Sequence, residues 1–441
     1  MLPAYISRTP PNPASNRASW YKNTAPTYAG IFLWIVFYRE IGSGTLDHAS
    51  LGLCLLALLV AGLISYGLFY YIPATLGMRT GLPLYVVGSS TFGSLGGYLM
   101  PGILMGLLQV GWMSVNTFVA TTFILTAFGS KQGPGTLAFS LIAAAWAIGL
   151  GYVGAKGIQY VARFATFLNF VPLLMILVVF AKNAGGAAQY APPQPNPYLG
   201  FTVMIQIVVG FFATAGAAGV DFGMNSRNDH DVRWGGLVGI FLAILVAGGL
   251  PLISIAGAHT LYGVKDFQFD SAIAQTGSFA SIAFFLFAIA SVASMCFSSF
   301  IAGNSFATMI TGVPRTTSTM VGAVFAALLA ITGAASNLVG LFTVIGASFG
   351  PICGAIAADY WLSGKKWAGP RQGVNLAGYG AWAIGFVVGI LPFLPTPTEI
   401  KLYLQPAAVY SFIVGFVAYV ILAKAGLQSK SAIVQAISKN L

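Results

Sequence analysis

The sequence predicts an all-α integral membrane protein with about twelve transmembrane helices. The chain of 441 residues is 57% hydrophobic and only 7% charged, and a water-soluble domain could not hide that much apolar surface. The apolar residues fall in successive runs, and about 20 apolar residues are enough to cross a bilayer as a helix. We therefore expect one transmembrane domain at 27–423, between cytoplasmic tails at 1–26 and 424–441.

Basic residues are concentrated in alternate loops of this arrangement. With the N-terminus in the cytoplasm, 14 of the 20 Lys and Arg residues fall in inner loops and tails and 4 fall in outer loops, while Arg39 and Arg163 lie within or at the edge of spans. This bias follows the positive-inside rule. It explains the net charge of +11 without a nucleic-acid partner, and it predicts a multi-pass protein of the plasma (inner) membrane with both termini in the cytoplasm.

The residue types that usually carry enzymatic chemistry are few and scattered. The three cysteines lack metal-binding spacing, the three histidines are far apart, and there is no HExxH, GxSxG or phosphate-binding loop. These residues are Cys54, Cys296, Cys353, His48, His230 and His259. We therefore expect neither an enzyme nor a cofactor. Membrane lipid and a small-molecule substrate are the expected partners, with no obligate protein partner.

The first apolar run, residues 27–38, is too short to cross a bilayer. Arg39 and Glu40 follow it, and then the helix-breaking segment 42–45. A short, interrupted span is typical of the discontinuous helices that bind substrates and ions in transporters. Arg39 and Glu40 either form a gate or site pair or mark the mouth of this helix, and the sequence leaves both interpretations open.

A second weak point lies in the sixth span, where Gly and Ala dominate residues 210–219. Spans two to twelve are predicted at about 51–76, 100–125, 136–153, 161–179, 201–222, 236–256, 282–308, 318–332, 339–362, 376–393 and 407–422. Interruptions in spans one and six suggest two inverted repeats of five helices, followed by two extra spans. The binding site of such a protein lies at mid-membrane between the broken helices.

Span three carries a polar face at bilayer depth. Gln109, Trp112 and Asn116 lie at positions i, i+3 and i+7, so that a helix places them on one side. An amide exposed to hydrocarbon is costly, so this side has to face protein or water. An amide beside an indole can hold a flat ring that forms hydrogen bonds. Alternatively, the two amides bind neighbouring helices and Trp112 only packs.

Several segments, taken together, resemble the nucleobase:cation symporter family 1, and its cytosine permease branch most closely. They are Thr80-Gly81-Leu82, Gln109-Val110-Gly111-Trp112, residues 208–216, Val220-Asp221-Phe222, Gly350-Pro351 and Ala358-Asp359-Tyr360. The resemblance implies a LeuT-like 5+5 inverted repeat plus two extra helices. It also implies secondary active, cation-coupled symport by alternating access, with a nucleobase or a related small heterocycle (cytosine-, purine-, hydantoin- or vitamin-like) as the substrate.

The resemblance also implies the substrate contacts. Gln109 and Trp112 match the amide and the stacking indole of the cytosine branch, and Phe212 matches the aromatic residue on the other side of the ring. Phe211 takes a position that is polar in that branch. Met295 stands where the cytosine branch has an asparagine, and Asn304 falls where the hydantoin-transporting branch carries one. These departures favour a planar, amide-bearing ring without specifying cytosine.

For the coupling ion, the resemblance implies a sodium site between spans one and eight. Ser298 and Ser299 match the family's paired hydroxyl ligands, and the main-chain carbonyl groups of Gly30, Leu33 and Met295 match the remaining ones. Hydroxyl and carbonyl oxygens suit a hard monovalent cation. Alternatively, serines within a helix donate hydrogen bonds to carbonyl groups of the preceding turn.

Two other transport functions remain open. Proton coupling needs a titratable group on the transport route, and only Glu40, Asp221 and Asp359 lie near spans, all close to the membrane faces. A LeuT-like transporter of another small solute, such as an amino acid, would need groups that bind a charged ligand. The set of amide and aromatic side chains argues against such a ligand.

Overall fold

The computed structural model describes residues 2–156, 168–310, 312–395 and 397–432, and these residues form helices and loops without a β-strand. Ten helices among them are long and apolar enough to cross a membrane. They are Leu51–Thr80, Gly96–Ala127, Leu137–Lys156, Phe170–Gln189, Pro197–Ala217, Asp229–Tyr262, Gly277–Met309, Gly340–Leu362, Leu376–Phe393 and Ala407–Leu427. In this order they are spans two to eight and ten to twelve.

The two other predicted spans fall short of the length needed to cross the membrane as one helix. Span nine is Arg315–Ile331, with 17 residues, and span one consists of two short helices, Thr24–Phe32 and Ile35–Arg39. The predicted count of about twelve is therefore not reached by length and composition. Residues 161–167 of predicted span five, Arg163 among them, and residues 433–441 of the predicted C-terminal tail lie outside the described residues.

Span one is interrupted at Trp34, within the apolar run 27–38 and before the helix-breaking segment 42–45 that the sequence indicates. The first helix closes with the Leu33 amide donating to the Ala29 carbonyl at 2.8 Å, and Trp34 then takes the extended angles φ −75° and ψ 128°. Aromatic rings of span six pack against both halves of span one. Phe32 stacks on Phe212 of span six at 5.5 Å between ring centroids, and Phe37 lies 5.1 Å from Phe211.

Span six is also interrupted, at Ala218, one residue beyond its last turn. A short helix, Gly219–Gly223, follows and packs very closely against the end of span two. A Cβ atom on Gly77 would lie 1.9 Å from the Val220 carbonyl oxygen, and one on Gly223 would lie 2.0 Å from the Ala74 carbonyl oxygen. Only glycine allows the two backbones to approach this closely.

The loops form two groups, one on each side of the helix bundle. On the side of the N-terminal tail, Arg17 donates to the Met78 carbonyl at 2.7 Å and the Trp20 amide donates to Asp231 at 3.0 Å. On the other side, Arg39 donates to Asp270 at 2.9 Å. Loops that the sequence assigns to one side of the membrane therefore contact each other.

A buried polar network ties the connection between spans two and three to span ten. Asp359 of span ten pairs with Arg371 at 2.5 Å, accepts from Ser90 at 2.6 Å and accepts from the Tyr419 hydroxyl at 2.9 Å. All four side chains are buried. A buried carboxylate is tolerated when a cation and several donors satisfy it in this way, so we interpret Asp359 as a structural residue.

The close contact at Gly77 gives a test of the packing. Alanine at Gly77 forces spans two and six apart, and overpacking of this kind costs about 1–3 kcal/mol. We expect the Gly77→Ala protein to unfold at a clearly lower temperature in detergent. Gly67 lies in the same span with no neighbouring atom within 4 Å of an added Cβ, so Gly67→Ala is the matched control. Equal unfolding temperatures for the two variants would contradict the packing described.

Candidate functional site

A small cavity lies at the centre of the bundle, where spans one, three, six and eight meet. It is lined by Ile31, Trp34, Gln109, Trp112, Phe211, Thr214, Ala215, Ser294, Phe297 and Ser298, none of which is charged. Its volume is about 30 Å³, against roughly 300–1,000 Å³ for typical small-molecule pockets. A heterocycle can therefore be enclosed here only if some of the lining side chains move outward.

The walls of the cavity are aromatic. The Trp112 ring lies 4.9 Å from Phe211 at an interplanar angle of 72° and 5.6 Å from Trp34 at 63°. Phe342 of span ten supports both Trp112 and Phe211 from behind, at 5.5 Å from each. Edge-to-face aromatic contacts of this kind form rigid, apolar surfaces against which another flat ring can pack.

Two fully buried side-chain polar atoms on the lining residues have no hydrogen-bond partner. Gln109 Nε2 contacts the Met105 sulfur at 3.6 Å, but the buried Gln109 Oε1 is unpartnered, and so is the buried Trp34 Nε1. By contrast, Trp112 Nε1 donates to the Thr214 hydroxyl at 3.1 Å. The cavity thus offers one free acceptor and one free donor between aromatic walls.

The structure separates the predicted substrate residues into two groups. Gln109, Trp112 and Phe211 line the cavity, whereas Phe212, Met295 and Asn304 do not. Phe212 stacks on Phe32 of span one, so the sandwich of a ring between Phe212 and Trp112 stays a prediction. Phe211 takes the place opposite Trp112.

The two outlying residues of span eight are displaced by helix geometry. Met295 is buried against Met113 and Ala147, on the side of spans three and four. Asn304 is six residues beyond Ser298, which is about 9 Å further along a helix axis. Neither side chain reaches the cavity of this structure.

Asn116 has a structural environment. Its Nδ2 donates to the Ser291 carbonyl at 3.0 Å and to the Ser294 hydroxyl at 2.9 Å, and its Oδ1 accepts from Trp146 Nε1 at 3.0 Å. These bonds join spans three, four and eight. The polar face of span three therefore contains one amide that holds helices together and another, Gln109, whose oxygen is free.

Of the two serines predicted to bind sodium, one lines the cavity and the other packs against span four. Ser298 lines the cavity next to the break in span one. Ser299 donates to the Cys296 carbonyl at 2.9 Å and packs against span four, where a Cβ on Gly154 would lie 1.8 Å from its hydroxyl oxygen. In span one, the Leu33 carbonyl accepts from the Tyr38 hydroxyl at 3.3 Å, and Gly30 lies beside Asn169.

The hydroxyl and carbonyl groups of the predicted sodium site do not resemble the ligands of a transition-metal centre. Within the described part of the chain, no three His, Cys, Asp or Glu side chains are grouped so that they could hold a metal ion. The last turn of a helix leaves its carbonyl groups without partners in that helix. The break after Leu33 therefore leaves carbonyl groups without partners in the first half of span one, and residues on both sides of Leu33 line the same cavity as Ser298.

The titratable residues that the sequence singles out lie away from the cavity. Arg39 pairs with Asp270 and lies 3.6 Å from Glu40, and Glu40 also accepts from Gln268 at 3.2 Å. Burial raises the pKa of the Glu40 and Asp270 carboxyl groups, and Arg39 opposes this rise. Of the two interpretations of Arg39 and Glu40, the structure favours the mouth of span one. Asp221 accepts from the Leu84 amide at 3.2 Å.

Trp34 is one of the lining residues that sequence reasoning missed. It lies within the apolar run that forms span one, where an aromatic residue is expected only to pack against its neighbours. The signal that points to it is its position at the interruption of a short span, because interrupted helices line transporter sites.

Comparisons with known proteins agree with this geometry. A family model described as permease for cytosine/purines, uracil, thiamine and allantoin matches residues 11–415. No curated protein gives a significant sequence match. Several solved transporters share the fold at low sequence identity, which confirms the predicted LeuT-like architecture.

Two of these structures are of Mhp1, a nucleobase-cation-symport-1 family transporter. The closed form with bromovinylhydantoin bound has 15% identity and a TM-score of 0.72, covering 94% of each chain. The inward-facing form has 17% identity and a TM-score of 0.71, covering 98% of this chain and 97% of that one. A Na⁺-coupled sialic acid symporter has 13% identity and a TM-score of 0.62, covering 97% of this chain and 93% of that one.

The different environments of Gln109 and Asn116 can be tested with variants of similar volume. Asn116→Leu removes three hydrogen bonds and leaves the Trp146 donor without its partner, so we expect a loss of about 1–3 kcal/mol in stability. Gln109→Met removes an oxygen that has no partner, so we expect an unchanged or slightly higher unfolding temperature. Thermal unfolding of the two purified variants beside the unmodified protein measures this. A lower unfolding temperature for Gln109→Met than for Asn116→Leu would contradict the assignment.

Proposed function

Since the chain belongs to the family of permeases for cytosine/purines, uracil, thiamine and allantoin, we propose that it carries a neutral, planar nitrogen heterocycle into the cell together with sodium. The substrate class is a nucleobase or a related hydantoin- or vitamin-like ring. Uptake proceeds by alternating access, the site opening first to one side of the membrane and then to the other. The chain is a membrane transporter rather than an enzyme.

The free amide oxygen of Gln109 beside the Trp112 ring is the observation that carries this proposal. It supplies an unpartnered hydrogen-bond acceptor on a residue that lines a cavity with aromatic walls and no charged lining residue. A flat ring with polar edges matches both features, because its faces pack on aromatic rings and its edges form hydrogen bonds. Bromovinylhydantoin, the ligand bound in the closed form of Mhp1, is a molecule of this kind.

We assign direct contact with the ring to Gln109, Trp112 and Phe211. Phe212 holds the first half of span one through Phe32, and Met295 packs spans three and eight together. Phe212, Met295 and Asn304 remain predicted substrate residues that the cavity geometry does not support.

We place the sodium ion between Ser298 and the break in span one. Its ligands would be the Ser298 hydroxyl and the carbonyl oxygens of Gly30 and Leu33, with Ser299 and the Met295 carbonyl as the remaining predicted ligands. The Ser299 hydroxyl donates a hydrogen bond to the Cys296 carbonyl group, and the lone pairs of its oxygen remain able to bind a cation. An ion at this position would hold the two halves of span one against span eight and so shape the cavity that Trp34 and Ile31 line. Such coupling is reciprocal, so substrate would tighten ion binding by the same factor.

The alternatives gain no specific support. Proton coupling through Glu40 or Asp359 would have to act through groups that are paired outside the cavity. Asp221, which accepts from the Leu84 amide, does not line the cavity either. An amino acid carries a carboxylate and an ammonium group, and no charged side chain lines the cavity to receive either one. We also propose, from the distribution of Lys and Arg, that both termini lie in the cytoplasm.

Sodium coupling is tested by uptake into proteoliposomes. Radiolabelled cytosine, uracil, hypoxanthine, allantoin and thiamine are each offered with an inward sodium gradient and with the same concentration of potassium. We expect at least one of these compounds to accumulate, and to do so only with the sodium gradient. Equal uptake in the two salts would reject sodium as the coupling ion.

The ion site is tested with serine variants in the same assay. We expect Ser298→Ala to raise the sodium concentration for half-maximal uptake by about tenfold, since each lost ligand costs on the order of 1.4 kcal/mol. Because Ser299 faces span four, Ser299→Ala should have a smaller effect. Ser336→Ala, at an exposed position, is the control. Unchanged sodium dependence after replacement of both Ser298 and Ser299 would reject this site.

A further inference from the structure

We propose that the indole N–H of Trp34 is a hydrogen-bond donor to the substrate and that it determines specificity. This inference rests on the proposed function and narrows the substrate class. Trp34 and Gln109 together would select a ring that has an acceptor for the indole N–H and a donor for the amide oxygen.

The position of Trp34 is fixed by the backbone on both sides of it. It is the residue at which span one leaves the helical conformation, and its carbonyl group accepts from the Phe37 amide at 2.9 Å as the second half begins. Its side chain is 4% exposed and contacts Trp112 and Phe211 at 5.6 and 6.2 Å. The indole is therefore a wall of the cavity whose orientation neighbouring rings restrict.

The buried, unpartnered N–H of Trp34 distinguishes it from four other tryptophans, whose indole N–H groups have an acceptor. The indole N–H groups of Trp112, Trp146, Trp367 and Trp382 donate to Thr214, Asn116, Val87 and Ser348, at 3.0–3.1 Å. The three remaining tryptophans, Trp20, Trp234 and Trp361, are half-buried or exposed. A buried donor without an acceptor is unfavourable, and phenylalanine would form the same wall without that cost. A ligand that accepts from this N–H gives the indole a role that packing does not.

The second free atom specifies the complementary group. Gln109 lines the same cavity, and its buried Oε1 is an acceptor without a hydrogen-bond partner. A ring that satisfies both atoms carries an N–H and a carbonyl or pyridine-type nitrogen on its edge, as the lactam edges of pyrimidines, oxopurines and hydantoins do. A ring without an acceptor would leave the Trp34 donor buried and unpaired, and sites built on hydrogen bonds discriminate strongly against such analogues.

The test compares Trp34→Phe with Trp382→Phe in the full-length purified protein. Both variants lose an indole N–H, but Trp382 lies outside the cavity and donates to the Ser348 carbonyl. Dissociation constants are measured with sodium present for cytosine, uracil, hypoxanthine, allantoin and thiamine. For the compound that binds best, we expect Trp34→Phe to raise the dissociation constant by about tenfold. Trp382→Phe should leave this dissociation constant unchanged.

Sulfur analogues provide a second measurement, the preference for a carbonyl over a thiocarbonyl group. This preference should not change if Trp34 has only a structural role. A thiocarbonyl group is a much weaker acceptor than a carbonyl group, so the unmodified protein should prefer uracil to 2,4-dithiouracil and hypoxanthine to 6-mercaptopurine. Trp34→Phe should lose most of this preference. Thermal unfolding of the variant measures whether it is folded. We expect a loss of stability only from the smaller buried ring, because the N–H has no partner to lose.

The outcomes separate this inference from the proposed function. If none of the five compounds binds to the unmodified protein, the proposed function fails and this inference fails with it. If a compound binds to the unmodified protein and to Trp34→Phe with equal affinity, or if the preference for oxygen over sulfur survives in the variant, this inference fails alone.

Discussion

The break in span one depends on being enclosed by protein. Backbone groups that lose their helical partners cannot face lipid, because hydrocarbon offers them no hydrogen bonds. Spans three, six and eight surround Trp34, and the aromatic residues Phe32, Phe37 and Phe211 pack against one another beside it. Spans six and ten are the most deeply buried of the ten long helices, because 83% and 89% of the residues in their most apolar segments lie inside the protein. The arrangement of the bundle follows from the need to shield one interrupted helix.

Much of this arrangement could be predicted from the sequence, because hydropathy marks spans and polar residues stand out within them. The polar face of span three drew attention to Gln109 and Trp112, and both residues line the central cavity. The rotation of span six could not be predicted, since a helix that is apolar and buried on all sides has no amphipathic signal, and of the two aromatic residues expected there only Phe211 lines the cavity. Trp34 was missed for a related reason: within an aromatic run, composition does not show which ring has lost its hydrogen-bond partner.

Two amides seven residues apart on one helix show how environment decides function. Asn116 is satisfied by a carbonyl group, a hydroxyl group and an indole, so its polarity contributes to the stability of the bundle. Gln109 keeps its oxygen free in a cavity where a leucine would pack at lower cost. The residue type is similar, but only the position of neighbouring donors separates a structural group from a group available to a ligand. Sequence spacing alone does not contain that information.

Span nine has a consequence for the surrounding bilayer. A helix of 17 residues is roughly 26 Å long, whereas the hydrocarbon core of a typical membrane is about 30 Å thick. Val321, Val324, Phe325 and Leu328 are exposed on its outer surface, where they meet lipid tails. A span this short is accommodated by local thinning of the bilayer, by flanking side chains that reach the interface or by association with other helices, so the lipid around the protein meets spans of unequal length.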